Sequence, residues 1–354
     1  MRVLHAYCLN YNLGDYALGI GVKNLLRYNL DIDYIGETNL QGREFNEYYI
    51  NEVVNKKYDL LVIGGGGIIH GKHWPNGWFW LIDKDLIKTI KIPFIIYGAG
   101  YNYWIEEGGM PQRGIKHLEE TIKYAKFFSV RNDGSAKRVK DQLGIDCEVV
   151  PDPGFHINLN TTYENVNETS PYVLVQVAND KSDIRFGCSN EKKLFIKNMK
   201  DVTYQLSKKY KVIFAPHVFD DVLLSRDISE GIPNTEVWNF GKFAFDNVKE
   251  AISYYKTADF VISMRGHGQI IPIAFNTPVI SLENHPKHKG LMEELNLLEY
   301  NVSIDKDLAN SLSVKIEMLE NNMELLKRKY GSINSKLNID SNNSWNKIKT
   351  ILNG

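Results

Sequence analysis

The stretch Leu60-Leu61-Val62-Ile63-Gly64-Gly65-Gly66-Gly67 decides how the chain is read. Four apolar residues without polar alternation fit a strand buried on both faces, and the glycines end it in a tight turn. The same unit recurs around it. Residues 2–8 form an apolar run that stops at Asn10-Tyr11-Asn12-Leu13-Gly14-Asp15, and a helical pattern covers 16–28. Residues 94–97 run into Gly98-Ala99-Gly100. Residues 127–130 run into Arg131 with a helix over 134–143, and residues 147–150 run into Pro151-Asp152-Pro153-Gly154. Short apolar runs alternating with helices predict a parallel sheet covered on both faces.

From Phe155 to Pro171 the periodicity lapses into Asn, Thr and Ser, which reads as a linker. The alternation then restarts, with strands at 172–177, 212–215, 260–263 and 279–282. Helices are predicted at 191–208, 247–257, 266–275 and 289–295, a long amphipathic one at 306–328 and a short one at 344–352. The predicted fold is α/β, with two Rossmann-like domains facing a cleft. The N-terminal domain takes 1–158 and the linker 159–170. The C-terminal domain takes 171–305, and C-terminal helices at 306–354 are expected to pack back across the interface.

Composition narrows the function. The 354 residues are 43% hydrophobic and 24% charged, as in ordinary globular proteins. Forty-two Lys+Arg against 43 Asp+Glu leave a net charge of −1, which argues against a dedicated nucleic-acid binder. Cys8, Cys147 and Cys188 are odd in number and widely spaced, so neither a disulfide framework nor a zinc pattern is expected. The N-terminus reaches Asn10, Asn12 and Asp15 too soon for a secretory leader, and no 18-residue apolar run occurs. A cytoplasmic protein is the expectation.

In parallel α/β sheets ligands sit beyond the carboxyl ends of strands, so the residues ending strands are the candidates. The glycines 64–67 let backbone approach a ligand, or simply make a turn. No Lys-Ser/Thr follows them and strand one lacks GxGxxG, so neither a P-loop nor a dinucleotide fingerprint is present. Arg131 ends a strand; it is either an anion ligand or a surface residue beside a helix cap. In Ser263-Met264-Arg265-Gly266-His267 an Arg and a His fall at a helix N-terminus, an arrangement that favours anions. Lys287 follows one strand later. His217, with Asp220 and Asp221, ends another strand, as a base or as part of a cap. The pairs His70/His73 and His285/His288 lack convincing metal-ligand spacing, and no metal site is assigned.

At these residues the chain resembles the polysaccharide pyruvyl transferase family. The resemblance runs from Asn12-Leu13-Gly14-Asp15 through Asp59 and the strand into the glycines, then Val130-Arg131-Asn132-Asp133-Gly134-Ser135 and Pro151-Asp152-Pro153. It continues with Pro216-His217, Asp220-Asp221, Ser263-Met264-Arg265-Gly266-His267, Pro278-Val279-Ile280-Ser281-Leu282, Lys287, and Gly290 before Glu294-Leu295. The family's usual Arg-Leu-His triplet is here Arg265-Gly266-His267.

The resemblance implies a GT-B-like fold, phosphoenolpyruvate as donor, and transfer of pyruvate as a ketal to a sugar of a bacterial cell-surface polysaccharide or its lipid-linked precursor. A donor carrying a phosphate and a carboxylate needs several cations, and Arg131, Arg265, His267 and Lys287 are the expected donor ligands. Protonating the methylene carbon needs a general acid, assigned to His267, with Asp15 or His217 to take hydroxyl protons. Arg265 completes the expected catalytic set. Acceptor contacts are expected from Asn12, Asp15, Gly65, Gly66, Gly67, Trp74 and Tyr101. Trp78, Trp80, Tyr103 and Trp104 also suit sugar faces, or a core. No cofactor beyond the co-substrate is expected, and no nucleic-acid partner. Peripheral contact with the inner face of the cell membrane is expected. Two alternatives stand: a GT-B glycosyltransferase using a nucleotide sugar, with Glu283 on the ribose, and a non-catalytic carbohydrate- or anion-binding homologue.

Overall fold

Alternate residues of the first strands feed two cores on opposite faces of one sheet. Leu4, Ala6, Leu61, Ile63, Phe94 and Ile96 join one cluster; Val3, Tyr7, Leu60, Val62, Ile95 and Tyr97 join the other. The period-two geometry of a strand does this whenever both faces are covered, which is why these segments read as unbroken apolar runs. The computed structural model describes residues 1–354 except 72–73, 103–108, 160, 167, 169, 242 and 244–246.

The first sheet contains β1 (Arg2–Tyr7), β2 (Tyr34–Asn39), β3 (Leu60–Ile69), β4 (Phe94–Tyr101), β5 (Phe127–Arg131) and β6 (Glu148–Val150). Their order is β2-β1-β3-β4-β5-β6, all parallel. The second contains β7 (Tyr172–Gln176), β8 (Lys211–Phe214), β9 (Thr235–Val237), β10 (Phe260–Ser263), β11 (Val279–Glu283) and β12 (Asn301–Ser303). Its order is β12-β11-β10-β7-β8-β9, again all parallel. From the other edge this is the 3-2-1-4-5-6 order of doubly wound sheets, whose direction of winding reverses between β7 and β10.

The chain divides into two compact units, 1–10 with 18–160 and 336–354, and 11–17 with 161–335. The sequence reading kept 11–17 in the first domain and ended the second at 305. The structure groups 11–17 with the second unit because that segment bonds and packs against strand ends there. One helix, Leu308–Asn353, replaces the two helices expected at the C-terminus. Its residue Trp345 is buried against Tyr97 of the first sheet, with ring centroids 5.2 Å apart. Among the described residues no helix is long and apolar enough to cross a membrane.

Candidate functional site

The winding reversal of the second sheet opens between the ends of β7 and β10, where Asn179-Asp180 and Arg265-Gly266-His267 emerge. One buried carboxylate ties these ends together. Asp221, fully buried in the first turn of the helix Phe219–Ser229, accepts from the backbone N–H of Asn179 (3.0 Å), His217 (3.1 Å) and Val218 (3.3 Å). It also accepts from Arg265, through Nε (2.8 Å) and Nη2 (2.7 Å). Asp180 takes a second bond from Arg265 Nη2 and one from Arg185 Nη2 at 3.1 Å. The fork of Arg265 is therefore set in a carboxylate vice, and its Nη1 bonds to neither carboxylate.

The charges are stabilised by one another. Burial opposes ionisation of Arg265, but Asp221 and Asp180 outweigh it and push its pKa up. Burial likewise opposes the Asp180 anion, and the two guanidinium groups hold its pKa well below the usual range. His217 is wholly buried and its pKa is driven far down by desolvation, then by Arg265 and His267. Its Nε2 lies 2.7 Å from the Tyr255 hydroxyl. His288, also buried, is held neutral by desolvation and by the charges of Lys287, Arg185 and Arg265.

The helix Gly266–Ala274 starts at this point with Arg265 as its N-cap and no side-chain cap bond. Its first N–H groups and its dipole favour an anion. Lys287 stands beside it: a β-carbon added at Gly266 would lie 3.9 Å from Lys287 Cε and meet nothing else within 4 Å.

The segment 11–17 reaches the same place. Asn12 caps the helix Leu13–Asn29, its Oδ1 accepting from Gly14 N at 2.9 Å, and Leu13 N donates to the His217 carbonyl at 3.0 Å. Gly14 lies flat on the His267 ring, so closely that a β-carbon there would sit 2.6 Å from Nδ1. Glycine is required by that approach. Asp15 is in the first turn of the same helix. The second unit thus gathers Asn12, Asp15, His217, Arg265, His267 and Lys287 from four distant stretches of sequence.

The other candidates lie in the first unit, and several differ from expectation. The glycines 64–67 do not end β3. The strand continues through them to Ile69, with a register shift against β4 between Gly66 and Ile69. Gly64, Gly65 and Gly66 have φ of +113°, +60° and +86°, which only glycine adopts without strain. Gly65 and Gly66 are buried, Gly65 against Leu18, and so form a bulge rather than an open cradle; Gly67 is half-buried. Tyr101, 1% exposed, is a core residue, as are Trp78 and Trp80, while Trp74 is half-buried against Phe79. Tyr103 and Trp104 lie outside the described residues. Arg131 is neither at the surface nor open to an anion: it is 5% exposed, with Nε bonded to Asp133 (2.6 Å) and Nη1 to Asp152 (3.0 Å).

Asp180, Arg185 and Tyr255 escaped the sequence reading, and Asp221 was noted only as a neighbour of His217. Asp180 sits four residues beyond β7, which is itself a signal, because strand ends beside a winding reversal are where ligands gather. Arg185 and Tyr255 lie within helices and carry no local signal.

Two six-stranded parallel Rossmann-like sheets define a GT-B-fold protein, and solved structures agree. The chain is similar to the S. aureus MnaA–UDP co-structure (TM-score 0.56, 11% identity, covering 93% of this chain and 90% of that one). It is also similar to a putative UDP-N-acetylglucosamine 2-epimerase from Listeria monocytogenes (TM-score 0.58, 11% identity, 93% and 90%). A third is the E. coli heptosyltransferase WaaC with ADP (TM-score 0.50, 12% identity, 90% and 99%). At such identities the likeness shows the fold alone. No curated protein matches. The model of the polysaccharide pyruvyl transferase family matches residues 12–286, and the chain belongs to that family.

Proposed function

We propose that the protein transfers pyruvate from phosphoenolpyruvate onto two hydroxyls of one sugar, forming a ketal on a cell-surface polysaccharide or its lipid-linked precursor. The observation that carries this is the uncapped start of the helix Gly266–Ala274, with His267 in its first turn and Lys287 alongside. An acidic donor suits such a place. In this reading Lys287 and the helix N–H groups take the donor phosphate. Arg265, locked by Asp221 and Asp180, presents a fixed positive charge. His267 gives its proton to the methylene carbon, so that the central carbon becomes oxocarbenium-like. One sugar hydroxyl attacks that carbon and loses its proton; the C–O bond to phosphate breaks and the second hydroxyl attacks. The two hydroxyl protons balance the methyl group formed and the phosphate released. Asp15 is our proton acceptor. His217, buried and bonded to Tyr255, positions the Asn12–Asp15 turn through its carbonyl. Arg131, held by its own carboxylates, is assigned to the scaffold. We place the reaction in the cytoplasm, at the inner face of the membrane where lipid-linked acceptors would be met.

Incubation with phosphoenolpyruvate and a panel of bacterial glycans should release phosphate and add a pyruvate ketal to one of them. Release of a nucleotide from a sugar nucleotide, with none of phosphate from phosphoenolpyruvate, would overturn the proposal in favour of glycosyl transfer.

A further inference from the structure

Arg265 is enclosed by more negative charge than it can cancel. Asp221 and Asp180 both bond its guanidinium, and two carboxylates against one guanidinium leave a net charge of −1. On its own that trio would repel the anion that Lys287 and the uncapped helix start attract.

A second buried guanidinium redresses the balance. Arg185, in the short helix Ser182–Phe186, has a side chain only 6% exposed. Its Nη2 spans both Asp180 carboxylate oxygens at 3.1 Å each, and its Nε donates to the Asp180 carbonyl at 2.7 Å. Arg185, Asp180, Arg265 and Asp221 together then sum to zero, and the charge of Lys287 is left over for a donor. Burying a guanidinium is unfavourable, because the ion gives up its water. Asp180 does not demand it: that carboxylate is 33% exposed and already bonded to Arg265. What Arg185 adds is charge.

The field of Arg185 reaches the donor side. It is among the charges that hold His288 neutral, and His288 directly follows Lys287 in the helix Pro286–Glu294. Arg185 itself lines a different pocket, with Phe186, Glu191, Leu194 and Lys306, none of them a residue of the candidate site.

We propose that Arg185 is a positioning residue for the anionic donor: it cancels Asp180, so that Asp180 can lock the Arg265 fork without repelling the anion. The assignment rests on the reading that an acidic donor sits at the start of the helix Gly266–Ala274.

Calorimetry on the full chain, with phosphoenolpyruvate and inorganic phosphate as probes, tests it. One unit charge acting across a single carboxylate, at an effective permittivity of about 20, changes anion affinity by roughly tenfold. Arg185→Met should therefore bind both probes roughly tenfold less well, and Arg185→Lys should bind them as wild type does. Asp180→Asn should bind them roughly tenfold more tightly. The double variant Arg185→Met/Asp180→Asn should return to wild-type affinity, although it has lost the ion pair altogether. A merely structural pair gives another pattern, in which Arg185→Lys fails with Arg185→Met and the double variant binds no better than either. That pattern, or wild-type affinity in Arg185→Met, overturns the proposal. If Arg185→Met does not fold, Asp180→Asn decides, and unchanged or weaker binding by it overturns the proposal. Binding of neither probe by wild type overturns it together with the donor reading. The expected affinities in a protein that releases no phosphate from phosphoenolpyruvate with any glycan would sink the transferase reading and leave the role of Arg185 standing.

Discussion

At the end of β5, Arg131 is gripped by Asp133 and Asp152; beyond the end of β10, Arg265 is gripped by Asp221 and Asp180. The two motifs share a chemistry, one guanidinium between two carboxylates after a parallel strand. They differ in what the next helix is given. The helix Ser135–Leu143 receives its own anion, because Asp133 Oδ1 accepts from Ser135 N at 3.1 Å. The helix Gly266–Ala274 has no side-chain cap bond among the described residues, and Lys287 and His267 stand at its start. The side chains of Arg131 and its partners are 6% exposed or less, whereas Asp180 is 33% and Arg265 13% exposed. The proposed function turns on this difference: it takes the strand-end arginine as scaffold where an aspartate caps the next helix, and as part of the site where no side chain caps it.

The sharpest way to break this contrast is at His267. His267→Gln should lower turnover by about 10²–10⁴-fold, the usual cost of losing a general acid, with donor affinity nearly unchanged. Lys287→Ala should do the reverse, weakening donor binding while single-turnover chemistry persists. Equal loss of affinity in both, with chemistry intact, would make His267 a binding group.

Next is stability. Arg131→Met leaves the buried Asp152 without its guanidinium and Asp133 with only Arg138 at 3.3 Å, and should cost about 3–5 kcal/mol in urea unfolding. Arg265→Met should cost less, because Asp180 is a third exposed and keeps Arg185. Equal costs would erase the distinction between scaffold and site.

The smallest effect per group is acid sensitivity. His5 and His156 are buried, and desolvation lowers both pKa values to about 4, from opposite ends of the first unit's chain segments. Groups with depressed histidine pKa values stay neutral when folded but take up protons when unfolded below about pH 6.5. Stability is therefore fully present above that pH and falls as pH drops toward 4. At pH 5 each should contribute a loss of about 2 kcal/mol. His217 and His288 act in the same direction in the second unit. A melting temperature flat from pH 7 to 5 would contradict this, and His5→Asn should flatten the profile in part.

The interior strands were legible because burial on both faces forces continuous apolar sequence. The edge strands β2, β9 and β12 were not: YIGETN, TEV and NVS are partly exposed and carry no such constraint. The glycines 64–67 were misread as a loop, since a bulge inside a strand and a turn after it use the same residue for the same positive φ. Arg131 and Arg265 looked alike in sequence for a related reason.

The sequence by itself determined the alternation of strands and helices and the two-unit α/β class, though not every strand end: β3 and β4 run on through their glycines to Ile69 and Tyr101. The alternation and the class follow from local periodicity and from which side chains water will not accept. Only the tertiary structure decided which strand-end arginine is enclosed with a capped helix and which lies beside an uncapped helix start. The carboxylates that fix Arg265 lie 44 and 85 positions away in the chain, and Gly14 meets His267 across an even longer interval. Charge, burial and an open helix end act through distance in space, and spacing in sequence does not record it.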